Sequence, residues 1–136
     1  MMKSVNTILL IDDDETTNYL NHRLLSRMEA APDIRVVTDG DEALKYLKNA
    51  FAGEAKYARP DLIFVDIKMS GMDGFEFLEE YQKVPAKQKE NIVMLMLTSS
   101  ASFYDLEKLK QFPDVRKHYS KPLAEADVRE IMETYF

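Results

Sequence analysis

The sequence of 136 residues contains no cysteine, which excludes disulfide bonds, zinc–thiolate sites and thiol catalysis. It also lacks a long apolar stretch, because the longest apolar runs reach about six residues and a helix needs roughly 20 to cross a bilayer. The N-terminal segment has one lysine and then acids, where a secretion signal would continue its apolar run. We therefore expect a cytoplasmic protein that is not bound to a membrane.

An excess of positive charge is absent as well. The chain has 18 Lys and Arg residues against 24 Asp and Glu residues, for a net charge of −6. Non-specific binding to nucleic acid depends on an excess of Lys and Arg facing the phosphates. We therefore expect no direct contact with nucleic acid. Length and composition are those of an ordinary globule, and we predict a single domain over residues 1–136.

Apolar runs and helical patterns alternate along the chain. Four short runs are rich in Ile, Val and Leu with little polar alternation, at residues 8–11, 34–37, 62–65 and 92–97, and a weaker fifth run lies near residues 115–119. Patterns with helical spacing follow them, around residues 20–28, 44–51, 75–81, 103–112 and 128–135. The runs predict strands buried on both faces. Five strand–helix repeats predict an α/β fold, with helices covering both faces of a parallel sheet.

Acidic residues follow the first and third predicted strands. In an open parallel sheet, ligands bind at the carboxyl ends of the strands, where Asp12 to Glu15 and Asp66 would lie. Helix capping would explain Asp14 and Glu15, but it does not explain Asp66. Clustered carboxylates need a cation, and oxygen ligands without cysteine favour Mg²⁺. We therefore predict a Mg²⁺ site formed by Asp12, Asp13 and Asp66.

Two more polar side chains follow strands at the same edge. Thr98 ends the fourth predicted strand and Lys121 follows the fifth. Each has an ordinary alternative, as a β-branched strand residue and as a solvated lysine. At this edge, the hydroxyl and the ammonium group could instead contact a phosphoryl group on Asp66. Pro122 would then fix the loop that carries Lys121, with a cis peptide bond as one option.

Together these segments resemble the receiver domain of two-component response regulators, the CheY-like family. The matching segments are ILLIDDD at residues 8–14, PDLIFVD at 60–66, MDGFE at 72–76, MLTSS at 96–100 and SKPL at 120–123. They follow the order and spacing of the family over essentially the whole chain. The resemblance implies a doubly wound five-stranded parallel sheet in the order 2-1-3-4-5, flanked by five helices.

The resemblance also implies a chemistry. Asp66 would accept a phosphoryl group from a histidine kinase or a histidine phosphotransfer protein. Asp12 and Asp13 would hold Mg²⁺ together with Asp66, and the backbone carbonyl of Lys68 would be a further ligand. The side chains of Lys68 and Ser100 would flank the path of the water that removes the phosphoryl group.

The implied switch departs from the family pattern in this chain. Thr98 would move towards the acyl phosphate, Lys121 would pair with it, and the surface of the fourth helix and fifth strand would change its affinity for a downstream protein. The usual switch aromatic is replaced by His118, with Tyr119 beside it. Ser70 stands where the family usually has proline, which predicts a looser loop after Asp66. We expect a monomer or a weak phosphorylation-dependent dimer.

Three other functional classes are weaker alternatives. A magnesium-dependent phosphatase with an aspartyl-phosphate would need an acid two residues after Asp66, where this chain has Lys68. A receiver-like binding module would not need the complete set of polar residues. A flavodoxin-like electron carrier would need a loop rich in Ser, Thr and Gly after the first strand, where this chain has four acids. We therefore expect no enzymatic activity beyond the domain's own phosphorylation and dephosphorylation.

Overall fold

The computed structural model describes residues 5–99 and 101–136 of the chain. The strands are β1 (Thr7–Ile11), β2 (Asp33–Val37), β3 (Leu62–Asp66), β4 (Val93–Thr98) and β5 (Val115–Ser120). The helices are α1 (Glu15–Arg27), α2 (Gly40–Phe51), α3 (Gly74–Gln82), α4 (Phe103–Leu109) and α5 (Glu125–Tyr135). All strand pairs are parallel, in the order β2-β1-β3-β4-β5, which confirms the predicted topology.

The three central strands are buried along their whole length and separate two apolar layers. In β3, Ile63 and Val65 point towards α2, α3 and α4, whereas Leu62 and Phe64 point towards α1 and α5. Successive side chains of a strand point to opposite faces, so continuous apolar runs are needed where both faces are covered. The predicted burial on both faces is confirmed for these strands.

The same prediction is wrong for β2 and β5. In β2 only Val37 is buried and Val36 is exposed, while in β5 residues 116–118 are exposed and Tyr119 is buried. Both strands lie at the edges of the sheet and have a neighbouring strand on one side only. The flanking helices cover the centre of the sheet more completely than its margins, so edge strands need fewer apolar side chains.

Helices α1, α2 and α3 begin with an aspartate at the N-cap. The side chains of Asp14, Asp39 and Asp73 accept hydrogen bonds from backbone amides in the first turn of the helix that follows each of them. This satisfies amides that have no partner within the helix. The predicted capping role of Asp14 is confirmed. Among the described residues, no helix has the length and apolar character that crossing a membrane requires.

Helix α4 is shorter than its sequence pattern predicts. It ends at Leu109, and the chain then tightens into a turn in which the amide of Phe112 donates to the carbonyl of Leu109 at 3.0 Å. Pro113 follows directly, and the residue before a proline is disfavoured in the helical conformation. The predicted end at Phe112 is therefore wrong by three residues.

Candidate functional site

The carboxyl ends of β1 and β3 bring three predicted site residues together. Ile11 pairs with Val65, so the residues that follow on these neighbouring strands lie side by side. Carboxylate oxygens of Asp12, Asp13 and Asp66 all lie within 4.8 Å of one another. Asp12 is 2% exposed and Asp66 is 4% exposed, whereas Asp13 is exposed to solvent.

Lys121 reaches both buried carboxylates. Its Nζ lies 3.1 Å from Oδ2 of Asp12 and 3.1 Å from Oδ2 of Asp66, and its side chain is 10% exposed. The backbone amide of Lys121 donates to the carbonyl of Thr98 at 3.0 Å, and the Lys121–Pro122 peptide bond is cis. The loop after β5 is therefore held on β4, with the ammonium group between the two acids.

One ammonium group does not balance the acids around it. Burial raises the pKa of Asp66, the negative charge of Asp12 raises it further, and Lys121 partly opposes both effects, so that the pKa is about 6. Burial would lower the pKa of Lys121, but hydrogen bonds to Asp12 and Asp66 outweigh it and raise that pKa. The electrostatics of the site therefore favour an additional cation.

The donor set fits Mg²⁺. The ion takes one or two carboxylates and keeps several waters or phosphate oxygens, and the exposed Asp13 leaves the site open to solvent. The amide of Lys68 donates to Oδ1 of Asp66 at 3.4 Å, which places Lys68 beside that carboxylate. The ligand role of the Lys68 carbonyl stays a prediction.

Ser70 contacts the exposed acid of the cluster. Both its backbone amide and its hydroxyl donate to Oδ2 of Asp13, each at 2.9 Å. The two residues lie in different loops, after β1 and after β3. Instead of the looser loop that the missing proline predicts, the structure ties this loop to the carboxylate.

Gly74, the first residue of α3, packs directly against the backbone of Asp66 and Ile67. Its amide donates to the carbonyl of Ile67 at 2.9 Å. A Cβ atom at this position would lie 2.4 Å from the carbonyl oxygen of Asp66 and 2.8 Å from Cα of Ile67. Only glycine allows α3 to approach β3 this closely.

Sequence reasoning missed two residues of α1 that support the site. The side-chain amide of Asn18 donates to the backbone carbonyl of Asp12 at 2.8 Å. Oδ1 of Asn21 accepts a hydrogen bond from the amide of Leu123 at 2.9 Å. Both asparagines are buried, and Asn21 is only 1% exposed. Their spacing of three residues on one helix was an available signal, because asparagine is not favoured in helix interiors.

The candidate switch residues lie on different faces of the sheet. Thr98 is buried and shares its face with Met96, which packs towards α2, α3 and α4. His118 pairs with Met96, so its exposed side chain lies on this same face. Tyr119 pairs with Leu97 on the opposite face. The structure therefore places His118, and not Tyr119, on the face of Thr98.

Tyr119 contacts α5. Its hydroxyl donates to Oε1 of Glu130 at 2.7 Å, and Lys117 forms an ion pair with the same carboxylate. Burial and then this hydrogen bond raise the pKa of the Tyr119 hydroxyl. The predicted contribution of Ser100 lies outside the described residues.

Comparison with known proteins shows which family the chain resembles in sequence and structure. The family model described as "Response regulator receiver domain" matches residues 8–133. A crystal structure of a two-component response regulator from Cytophaga hutchinsonii superposes with a TM-score of 0.86 at 27% identity, covering 98% of each chain.

Two curated relatives are much longer than this chain. The hybrid signal transduction histidine kinase L of Dictyostelium discoideum is 29% identical over 98% of this chain, which spans 7% of that protein. The probable C4-dicarboxylate response regulator DctR of Bacillus subtilis is 23% identical over 88% of this chain, which spans 56% of that protein. The match in both relatives is confined to a part of a larger molecule.

Proposed function

The chain belongs to the family of response regulator receiver domains of two-component systems, and we propose that it accepts a phosphoryl group on Asp66 with the help of Mg²⁺. The phosphoryl donor is a histidine kinase or a histidine phosphotransfer protein. The likeness to a hybrid histidine kinase over nearly the whole chain supports this class of donor.

The observation that carries the proposal is the position of Asp66. Its carboxylate lies at the carboxyl end of the central strand β3, next to Asp12 and within 3.1 Å of the Lys121 ammonium group. With a pKa of about 6, Asp66 is mostly ionised at neutral pH. A carboxylate with an ammonium group and two further acids around it is equipped to exchange a phosphoryl group.

The proposed reaction is an in-line displacement at phosphorus. An oxygen of Asp66 forms the new P–O bond while the bond from phosphorus to the donor imidazole nitrogen breaks, and the electron pair stays with that nitrogen. Lys121 pairs with a phosphoryl oxygen, and the Thr98 hydroxyl donates a hydrogen bond to another. When bound to Asp12, Asp13, Asp66 and the Lys68 carbonyl, Mg²⁺ would neutralise charge on the phosphoryl oxygens.

The output is a change in protein binding. Phosphorylation would shift an equilibrium between two conformations of the surface formed by α4 and β5, and the favoured one would bind a downstream protein target. Thr98 and His118 share the face that leads to this surface. The proposal includes a cytoplasmic monomer or weak phosphorylation-dependent dimer that acts on no substrate other than its own phosphoryl group.

The test is phosphorylation by acetyl phosphate in the presence of Mg²⁺, measured as the intact mass of the protein. We expect the wild-type chain to gain the mass of one phosphoryl group and to lose the gain when EDTA replaces Mg²⁺. Asp66→Asn should show no gain, because the amide is a poor nucleophile.

The matched control is Asp41→Asn, which removes an exposed carboxylate from the first turn of α2 and leaves the site intact. This variant should be phosphorylated like the wild-type chain. A wild-type chain that gains no mass, or a gain that persists in Asp66→Asn, would contradict the proposal.

A further inference from the structure

Ser70 makes the only side-chain link between the two loops that carry the exposed part of the site, among the residues that the structure describes. Its amide and its hydroxyl both donate to Oδ2 of Asp13, each at 2.9 Å. The next residue, Gly71, has a φ of +72°, a conformation that side chains other than glycine rarely adopt. The backbone turns directly after Ser70, whose two donors converge on one oxygen.

The three carboxylates are oriented in different ways. Asp12 and Asp66 are buried, and Lys121 bonds both of them. Asp13 is exposed, and Lys121 forms no ion pair with it in the described part of the chain. Packing therefore does not set its side-chain orientation, and the hydrogen bonds from Ser70 do.

The hydrogen bonds from Ser70 use Oδ2 of Asp13 and do not involve Oδ1. Both donors bind Oδ2, and a carboxylate has two oxygens with about four acceptor positions. An oxygen that is not bonded by Ser70 can contact a cation while Oδ2 keeps its two hydrogen bonds. A group bonded in this way to a metal ligand orients that ligand and contributes to metal affinity.

We propose that Ser70 is a positioning residue for Mg²⁺, which holds the Asp13 carboxylate in the orientation that contacts the ion. This inference rests on the proposed function of the site. It assigns to a serine, through hydrogen bonds, a role that the proline common at this position in the family cannot fill in the same way, since proline has neither an N–H nor a hydroxyl group.

Isothermal titration calorimetry with Mg²⁺ on the metal-free chain tests the role of Ser70. Ser70→Ala keeps the amide bond to Asp13 and removes the hydroxyl bond, so we expect about 10-fold weaker binding, the lower end of the range for such partners. Ser70→Thr retains a hydroxyl group and should restore the wild-type affinity. Ser26→Ala removes an exposed hydroxyl from α1 and should bind like the wild-type chain.

Unfolding of the metal-free proteins separates positioning from a general loss of structure. We expect Ser70→Ala and Ser26→Ala to unfold at the same urea concentration as the wild-type chain, while only the former loses affinity. Equal or tighter Mg²⁺ binding by Ser70→Ala would overturn the inference, and so would equal losses in Ser70→Ala and Ser70→Thr.

Asp13→Ala distinguishes this inference from the proposed function. If the wild-type chain binds Mg²⁺ and Asp13→Ala does not, the metal site stands and the Ser70 variants decide the inference. If the wild-type chain binds no Mg²⁺, or Asp13→Ala binds it equally well, the metal site is wrong and the role of Ser70 is overturned with it.

Discussion

Asp66 is a carboxylate whose surroundings disfavour its ionised form. It is 4% exposed, and a second buried acid, Asp12, shares its ammonium partner, Lys121. The unfolded chain would expose the same group to water, where its ordinary pKa is 3.8. Because the folded value is about 6, the folded state binds a proton more tightly than the unfolded state between these values.

The free energy of unfolding of the metal-free chain should therefore fall as the pH rises from about 4 to 6. The whole decrease is present above about pH 6, and none of it is present below about pH 4. Asp66→Asn removes this dependence. We expect the variant to be more stable than the wild-type chain at pH 7 by on the order of 2–3 kcal/mol, with the difference disappearing towards pH 4.

Urea unfolding in EDTA over pH 4–8 measures this difference. Asp41→Asn, at an exposed position, should follow the wild-type curve. Equal or lower stability of Asp66→Asn at pH 7 would show that burial does not penalise the ionised carboxylate.

At the level of elements, helix α1 contacts both the loop after β1, which carries Asp12, and the loop after β5, which carries Lys121. Asn18 holds the backbone of Asp12 after β1, and Asn21 holds the amide of Leu123, two residues after Lys121. Buried polar groups require partners, so these bonds fix the helix against both loops at once. The acid and the ammonium group that face each other in the site are thus oriented by one face of a single helix.

Asn21→Ala should leave the Leu123 amide buried without an acceptor. We expect a loss of about 1–3 kcal/mol in the free energy of unfolding, measured by urea denaturation. Acetyl phosphate should also phosphorylate the variant more slowly, because the loop that carries Lys121 loses an anchor.

Asn49→Ala is the matched control, since Asn49 is also a helical asparagine, in α2, and is less buried than Asn21. It should retain the wild-type stability and rate. Wild-type stability of Asn21→Ala would contradict the anchoring role of α1.

For the molecule as a whole, the parallel topology gathers acids at one edge. Chain segments that end at Asp12 and Asp66 run in the same direction, and the capping acids Asp14, Asp39 and Asp73 start helices at that edge. A net charge of −6 adds to the repulsion. A ligand that binds only the folded arrangement of these acids must stabilise the fold.

Mg²⁺ should therefore raise the thermal unfolding midpoint. At a Mg²⁺ concentration of 100 times Kd, the gain in the free energy of unfolding is about 2.7 kcal/mol. Differential scanning fluorimetry with MgCl₂, and with NaCl at equal ionic strength, separates binding from screening. Asp13→Ala should respond to both salts alike, and a wild-type chain that also responds alike would argue against a specific site.

The sequence predicts the strand order and the central strands correctly, but it predicts the burial of the edge strands and the end of α4 wrongly. Continuous apolar runs identify β1, β3 and β4, because a strand covered on both faces is apolar along most of its length. The edge strands β2 and β5 contain more charged and polar residues and much exposed surface, because their place at the edge of the sheet leaves them less covered by the helices. The end of α4 was missed for a local reason, the turn before Pro113.

By itself, the amino-acid sequence determined which residues could form the site: acids after two strands, a hydroxyl after a third and a lysine after a fourth. Local patterns carry that information, because parallel strands present their carboxyl ends at one edge. Only the tertiary structure decided the contacts between distant segments. Ser70 on Asp13, Asn21 on Leu123 and His118 on the face of Thr98 depend on how loops and strands meet in space, and residues far apart in the chain carry no local signal of that meeting.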